Sequence, residues 1–451
     1  MKEEAGKNHF TPGRSEATAP CTIPSMDALL AGIILAATLL LVLIRPKDIG
    51  EAWWAVLGGA AVLALGLVSL GEVLRILDET HDALFLLLGM MALSAAADRA
   101  GFFDWAASLA ARAGGGDVGR LYVMVFLVGT VVTAALSLDA TAIVLTPIIY
   151  GMVVRLRLRP LPFVFACTYT ANTASLFLPV SNLTNLLAYN ALDIGFIEFG
   201  MIMFIPATFA VAANLLVFLV LFRGDLIGGY EADHFYEAEN KRFFRLAAWG
   251  VGGMLVAFFA APIFGVPIGL AALVGGAVVV LMARFYGWLS FKEVSDEISW
   301  GLFALVIGLF IVVRAAEDAG LNAAIGNALS LAGAGDGFFQ ILAVAVGSAL
   351  GSNLVNNVPM TVMAINGAEP LVSSGEAGLA VVYAALLGTN IGPNLTIVGS
   401  LATLIWLSIV RDRGMEIGAK DYLKIGAVAT PVILLVAVFG LWLSLKIFGS
   451  G

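Results

Sequence analysis

Charge is what this 451-residue chain has least of. Asp, Glu, Lys and Arg make up 12% of it, about half the share of a soluble domain. Two cysteines, Cys21 and Cys167, are too few for a disulfide framework or a cysteine-rich metal site. The three histidines fall into no HExxH or Cys/His ligand spacing, so no metal cofactor is expected. A Walker A motif is missing, so energy must come from an ion gradient or from a separate ATPase subunit. No nucleophile–base set is visible, so the chain does not read as an enzyme. A net charge of −8, carried in loops and tails, offers nothing to a nucleic acid. The first 24 residues mix charges and prolines without an apolar core, and read as a flexible extension rather than a signal peptide.

Apolar residues are what the chain has instead: 60% of the total, with a mean hydropathy of +0.97. They arrive in long runs, such as 26–44, 53–70, 199–222, 246–262 and 425–447. A run of about 20 apolar residues spans the hydrocarbon core as a helix. Fifty glycines suit close helix packing in lipid. The expected fold is an all-α polytopic membrane protein in a plasma membrane, surrounded by lipid.

Two stretches match each other. Residues 81–117 align with 300–336, bringing Gly89 opposite Gly308 and Asp117 opposite Asp336. SLDATAIVLTP (137–147) has a counterpart in LVNNVPMTVMA (354–364), and 171–185 resembles 389–396. The chain therefore divides into an extension (1–24), a first repeat (25–222), a charged cytoplasmic linker (223–245) and a second repeat (246–451). Basic residues in short loops mark the cytoplasmic side. Arg155, Arg157 and Arg159 cluster in the first half, and their counterpart loop 366–376 has no Lys or Arg. Arg411, Arg413, Lys420 and Lys424 lie in the second half, where the matching loop 193–198 has none. A bias that flips between repeats indicates an inverted duplication with a midplane site between the halves. The threading that follows has about ten transmembrane helices. It adds two re-entrant hairpins (118–154 and 337–365) and two broken helices (160–192 and 378–410), with both termini periplasmic.

Polar residues interrupt the apolar runs in four places. The first hairpin tip holds Ser137, Asp139 and Thr141. The first helix break holds Asn172, Thr173, Ser175, Ser181, Asn182, Thr184 and Asn185. Ser352, Asn353, Asn356 and Asn357 mark the second tip, and Thr389, Asn390, Asn394 and Thr396 the second break. Unwound backbone frees N–H and C=O groups, which Asn and Thr can satisfy while also binding a solute. Asp139 is the one acidic residue central to an apolar run. A charge there costs several kcal/mol and marks a functional site by default, so Asp139 is the candidate proton carrier. Its repeat partner, Asn356, is neutral. No Lys or Arg lies at the midplane, which fits a neutral, hydroxylated solute better than an anion. Gly114-Gly115-Gly116-Asp117 and Gly333-Ala334-Gly335-Asp336 carry the GxGD pattern of intramembrane proteases, but inversion separates them, and each Asp reads as a helix N-cap. Cys167 reads as a small packing residue.

At these segments the sequence resembles the ArsB-type arsenite efflux permeases of the ion transporter superfamily. SLDATAIVLTP, TANTASLFLPVSNLTNLL, VNNVPMTVMA and GTNIGPNLTIVGSLATLIWL carry the likeness, in order and over both halves. The resemblance implies proton-coupled efflux of trivalent arsenic and antimony hydroxides, and in some members a cytosolic arsenical pump ATPase as partner. It further implies a substrate pocket that includes Asp139, Thr141, Asn172, Thr173, Asn182, Asn356, Asn357, Asn390 and Asn394. A sodium/proton antiporter of the same superfamily would use the same pocket.

Overall fold

The computed structural model describes residues 26–44, 50–192, 194–231, 238–318, 337–372 and 377–448. Among them the only β feature is an isolated bridge between Asp117 and Gly229. Cys21 and Asp336 lie outside the described residues.

The first half opens with α1 (Met26–Ile44), α2 (Glu51–Ala64) and α3 (Leu70–Arg99). An amphipathic α4 (Phe102–Ala113) then leads into the first hairpin. Its arms are α5 (Val118–Ala135) and a π-helical turn (Ala140–Leu145) that continues as α6 (Thr146–Arg155). The first broken helix follows as α7 (Leu161–Ala174), two 3-10 turns and α8 (Leu183–Ala191), and α9 (Phe196–Leu221) closes the half. The second half runs α10 (Lys241–Ala260), α11 (Ile268–Phe285), α12 (Phe291–Glu297) and α13 (Trp300–Asp318). Its hairpin is α14 (Phe338–Val355) and α15 (Asn357–Val372), and its broken helix is α16 (Ala377–Ile391), a 3-10 turn and α17 (Leu401–Asp412). The last helix is α18 (Ala419–Phe448).

Seven described helices are long and apolar enough to cross a membrane, or eight with α12 and α13, which meet at 49°. Two of these, α5 and α14, are hairpin arms. The expected ten crossings are reached by counting the shorter apolar α1 and α2 and the two broken helices instead. The chain is a multi-pass membrane protein.

The packing follows the repeat. Helix α3 lies along α11, and α13 lies along α2, so equivalent helices exchange equivalent partners. Gly89 and Gly308 explain how: a Cβ at Gly89 would meet the backbone of Ala272, and one at Gly308 the backbone of Ala55. Small residues at such crossings let backbones touch in lipid, where packing rather than water drives association. Helices α9 and α18 pack on each other, α8 packs on α15, and α17 packs on the π turn and α6. Each broken helix thus rests on the other half's hairpin.

Both basic loops lie at one end, as their charge pattern requires. The Tyr150 hydroxyl donates to the Arg413 carbonyl oxygen at 2.8 Å, and Arg155, Arg157 and Arg413 line one cavity. The linker is sutured there: Arg159 pairs with Asp225 at 2.6 Å, and Tyr230 N–H donates to the Gly116 carbonyl at 2.9 Å. Asp117 caps α5 by accepting from Arg120 N–H at 2.8 Å.

Candidate transport site

Each helix break is built from local chemistry. In the first, Pro179 cannot continue a helical hydrogen-bond ladder, and Asn182 restarts the helix by accepting from the Thr184 N–H at 3.3 Å. In the second, Pro393 breaks the helix and Ser400 restarts it by accepting from the Thr403 N–H at 3.2 Å. Two half-helix N-termini therefore start inside the protein, where their unpaired N–H groups and dipoles need polar company.

The breaks are tied across the repeat boundary. Asn390 is the hub of one tie. Its amide oxygen accepts from Ser175 at 3.1 Å, from Thr184 at 3.3 Å and from Asn182. Its amide nitrogen donates to Asn185 at 3.0 Å and to the Leu386 carbonyl at 2.8 Å. The other tie is thinner: the Asn172 nitrogen donates to the Asn394 amide oxygen at 2.8 Å and reaches Thr403 at 3.5 Å. All of these side chains are buried. Thr173 is turned elsewhere, donating to the Tyr169 carbonyl at 2.8 Å and accepting from Asn214 of α9 at 3.0 Å.

The hairpin tips are fastened unequally. At the second, Asn353 donates to the Gly392 carbonyl at 2.8 Å and accepts from Thr396 at 2.6 Å. Asn357 N–H donates to the Gly399 carbonyl at 3.0 Å, and Asn356 holds a left-handed backbone (φ 77°) with its amide 3.4 Å from the Val398 carbonyl. The first tip is joined to its break by Ser181, which donates to the Ala134 carbonyl at 2.9 Å. Thr141 is buried and shares a hydrogen with Thr133 at 2.8 Å. Asp139 sits at the start of the π turn, partly exposed, with no hydrogen bond or ion pair to the described residues. Single π turns inside helices are rare and often mark functional sites. No hydrogen bond joins Asp139 or Thr141 to the amide network.

Beneath this first tip lies a cavity of about 1240 Å³ at the end that carries the basic loops. Ile143, Pro147 and Gly151 form its hairpin wall, which begins about one helical turn after Asp139. Asp98, Asp104 and Glu297 line it together with Arg155, Arg157 and Arg413. Burial pushes the Asp104 carboxyl above its ordinary value, and Arg155 pulls the other way. At the second tip a small void of about 20 Å³ is lined by apolar side chains and Asn356. If the cavity is the entry route, Gly151→Trp should cut solute transport several-fold. A Cβ there meets nothing within 4 Å and the cavity has room for the ring, so the variant should melt like the wild type. Unchanged transport would exclude the route.

The sequence identified the breaks and tips but not Thr403, Ser400, Thr133 or Asn214. Aligning the N-caps Asn182 and Ser400 would have placed Thr403 opposite Asn185. The π turn left no sequence signal.

A helical membrane protein of two repeats, whose broken helices are tied together through buried Asn, Ser and Thr side chains, has the architecture of a membrane transporter. The chain belongs to the ArsB arsenical pump membrane protein family, whose model matches residues 30–445. An arsenical pump membrane protein of Escherichia coli is 30% identical over 426 residues, covering 93% of this chain and 99% of its own. One from Yersinia enterocolitica is 30% identical over 432 residues with the same coverage. The crystal structure of the Alcanivorax borkumensis YdaH transporter, described as having an unusual topology, shares the fold: TM-score 0.59 over 94% of this chain and 99% of its own, at 15% identity.

Proposed function

We propose that the chain exports trivalent arsenic, and antimony, as neutral hydroxides across the membrane in exchange for protons by alternating access. Membership of the arsenical pump family supports the solute. The single observation that favours a neutral hydroxide is the site's composition: two helix breaks joined by Asn, Thr and Ser side chains, with no Lys or Arg among them. Asp139 is the proton carrier in this reading, because it alone brings an ionisable, unpaired group to the hairpin tip beside the open cavity. The inverted repeat supplies the second state, in which the other hairpin's side opens. A sodium/proton antiporter would draw on acceptor oxygens alone. Here amide N–H donors face the same cluster, which a cation cannot use.

Thiolate capture is the rival chemistry for arsenic. Three thiolates cannot come from one chain with two cysteines, and Cys167 is buried within α7. A Cys21→Ser/Cys167→Ser variant should therefore retain arsenite efflux near the wild-type rate. An inactive but correctly inserted cysteine-free protein would make Cys167 the leading ligand instead.

A further inference from the structure

We propose that Asn172 and Asn394 are the pair that reads the transported hydroxide, that Thr403 positions them, and that Asn390 is a structural tie the solute does not contact. This rests on the arsenical reading above and sharpens it. Asn172 and Asn390 occupy matching places in TANTAS and GTNIGP, so sequence treats them alike. Their hydrogen bonds do not. Asn390 uses both ends of its amide, donating twice and accepting three times. No lone pair or proton is left for a ligand.

The Asn172–Asn394 pair is unfinished. One hydrogen bond joins the two amides, and the Asn172 oxygen and the Asn394 nitrogen are buried with no partner. Swapping oxygen and nitrogen in both amides changes nothing essential, because one donor and one acceptor still remain. Within the four polar clusters, the third unpaired amide atom is the Asn357 oxygen at the second hairpin tip. That tip is held to Gly399, which packs on Pro393 beside Asn394. Buried polar atoms left unpaired are destabilising, and native proteins retain them where a ligand or water completes them.

The unpaired set specifies its ligand. An anion would satisfy only the nitrogen, and a cation only the oxygens. A hydroxyl group donates and accepts at once, so a compact, neutral, multiply hydroxylated solute satisfies both members of the pair. Thr403 acts through Asn172. Its hydroxyl lies 3.5 Å from the Asn172 nitrogen and 3.1 Å from the Ser400 hydroxyl, which fixes the plane of the amide. It holds the repeat position of Asn185, which ties down Asn390 in the same way.

The test compares isosteric variants. Purified Asn172→Leu/Asn394→Leu should melt at or above the wild type, because an incompletely paired amide couple gives way to apolar groups of similar shape. In everted vesicles its KM for arsenite should rise at least about tenfold, two hydrogen bonds being lost. Asn390→Leu should melt well below the wild type. Thr403→Val should raise KM several-fold with kcat held, and Thr403→Ser should restore it. A double variant with wild-type KM overturns the proposal, as does an Asn390→Leu protein that melts like the wild type. Should the double variant fail to fold, Thr403→Val at wild-type KM overturns it equally. A wild type that carries neither arsenite nor antimonite removes the functional reading, and the solute named here with it. A wild type that carries arsenite through a variant-insensitive site removes only this inference.

Discussion

Everted vesicles bearing Asp139→Asn are expected to equilibrate arsenite without accumulating it, whatever pH gradient is imposed. One pH unit is worth about 1.4 kcal/mol per exchanged proton, enough to sustain roughly a tenfold solute gradient in wild-type vesicles. The variant should lose that whole factor, because no other acidic residue lies central to an apolar run. Asp139 has no counter-ion among the described residues, so its charged form is costly at membrane depth. Converting it to an amide removes that cost, and the variant should fold and insert at least as well as the wild type. Gradient-driven accumulation that survives in Asp139→Asn would exclude Asp139 as the proton carrier.

Asn390→Ala is expected to have the largest effect on stability. The substitution strips partners from Ser175, Asn182, Thr184 and Asn185, whose side chains are all buried. Orphaned buried polar groups cost about 1–3 kcal/mol each, and some of these keep a second bond, so a total loss of about 3–5 kcal/mol is expected. Thermal unfolding of detergent-purified protein, followed by size-exclusion recovery, measures it directly. The tie holds α8 to α16, so its loss should release the two broken helices from each other. A protein with wild-type recovery would show that the tie is not needed to join the halves.

Much of the fold was legible because lipid imposes simple rules. Apolar runs became helices, and the places where Asn, Pro and Gly interrupted them became hairpin tips and breaks within a few residues of expectation. The alignment of Gly89 with Gly308 anticipated two equivalent crossings, since only a residue without Cβ permits that backbone approach. Less legible was the contrast between α3 and its counterpart. Both segments start with the same capping box, Ser69 with Glu72 and Ser290 with Glu293. The first continues as one helix of 30 residues, whereas the second bends by 49° after α12. The polar run Ser295-Asp296-Glu297 and Ser299 ends that turn, and the Trp300 indole donates back to the Ser295 carbonyl at 3.0 Å.

The site divided along the same line. Residue type and repeat position identified the clusters, but not what each amide bonds to. Thr141 and Thr173, which the family likeness placed in the pocket, are committed to Thr133 and to Asn214. The π turn after Asp139 shifts the register by a single residue, too little to disturb an apolar pattern. Partner assignments of this kind come from tertiary packing, which no local pattern encodes.

The central claim is that the chain moves a neutral arsenic hydroxide against protons. Its most direct test is uptake into everted membrane vesicles, with radiolabelled arsenite and radiolabelled sodium compared under the same imposed pH gradient. The account predicts gradient-dependent arsenite accumulation that collapses with a protonophore, and sodium uptake no greater than in vesicles lacking the protein. Sodium accumulation with arsenite at background would contradict it and identify a cation antiporter instead.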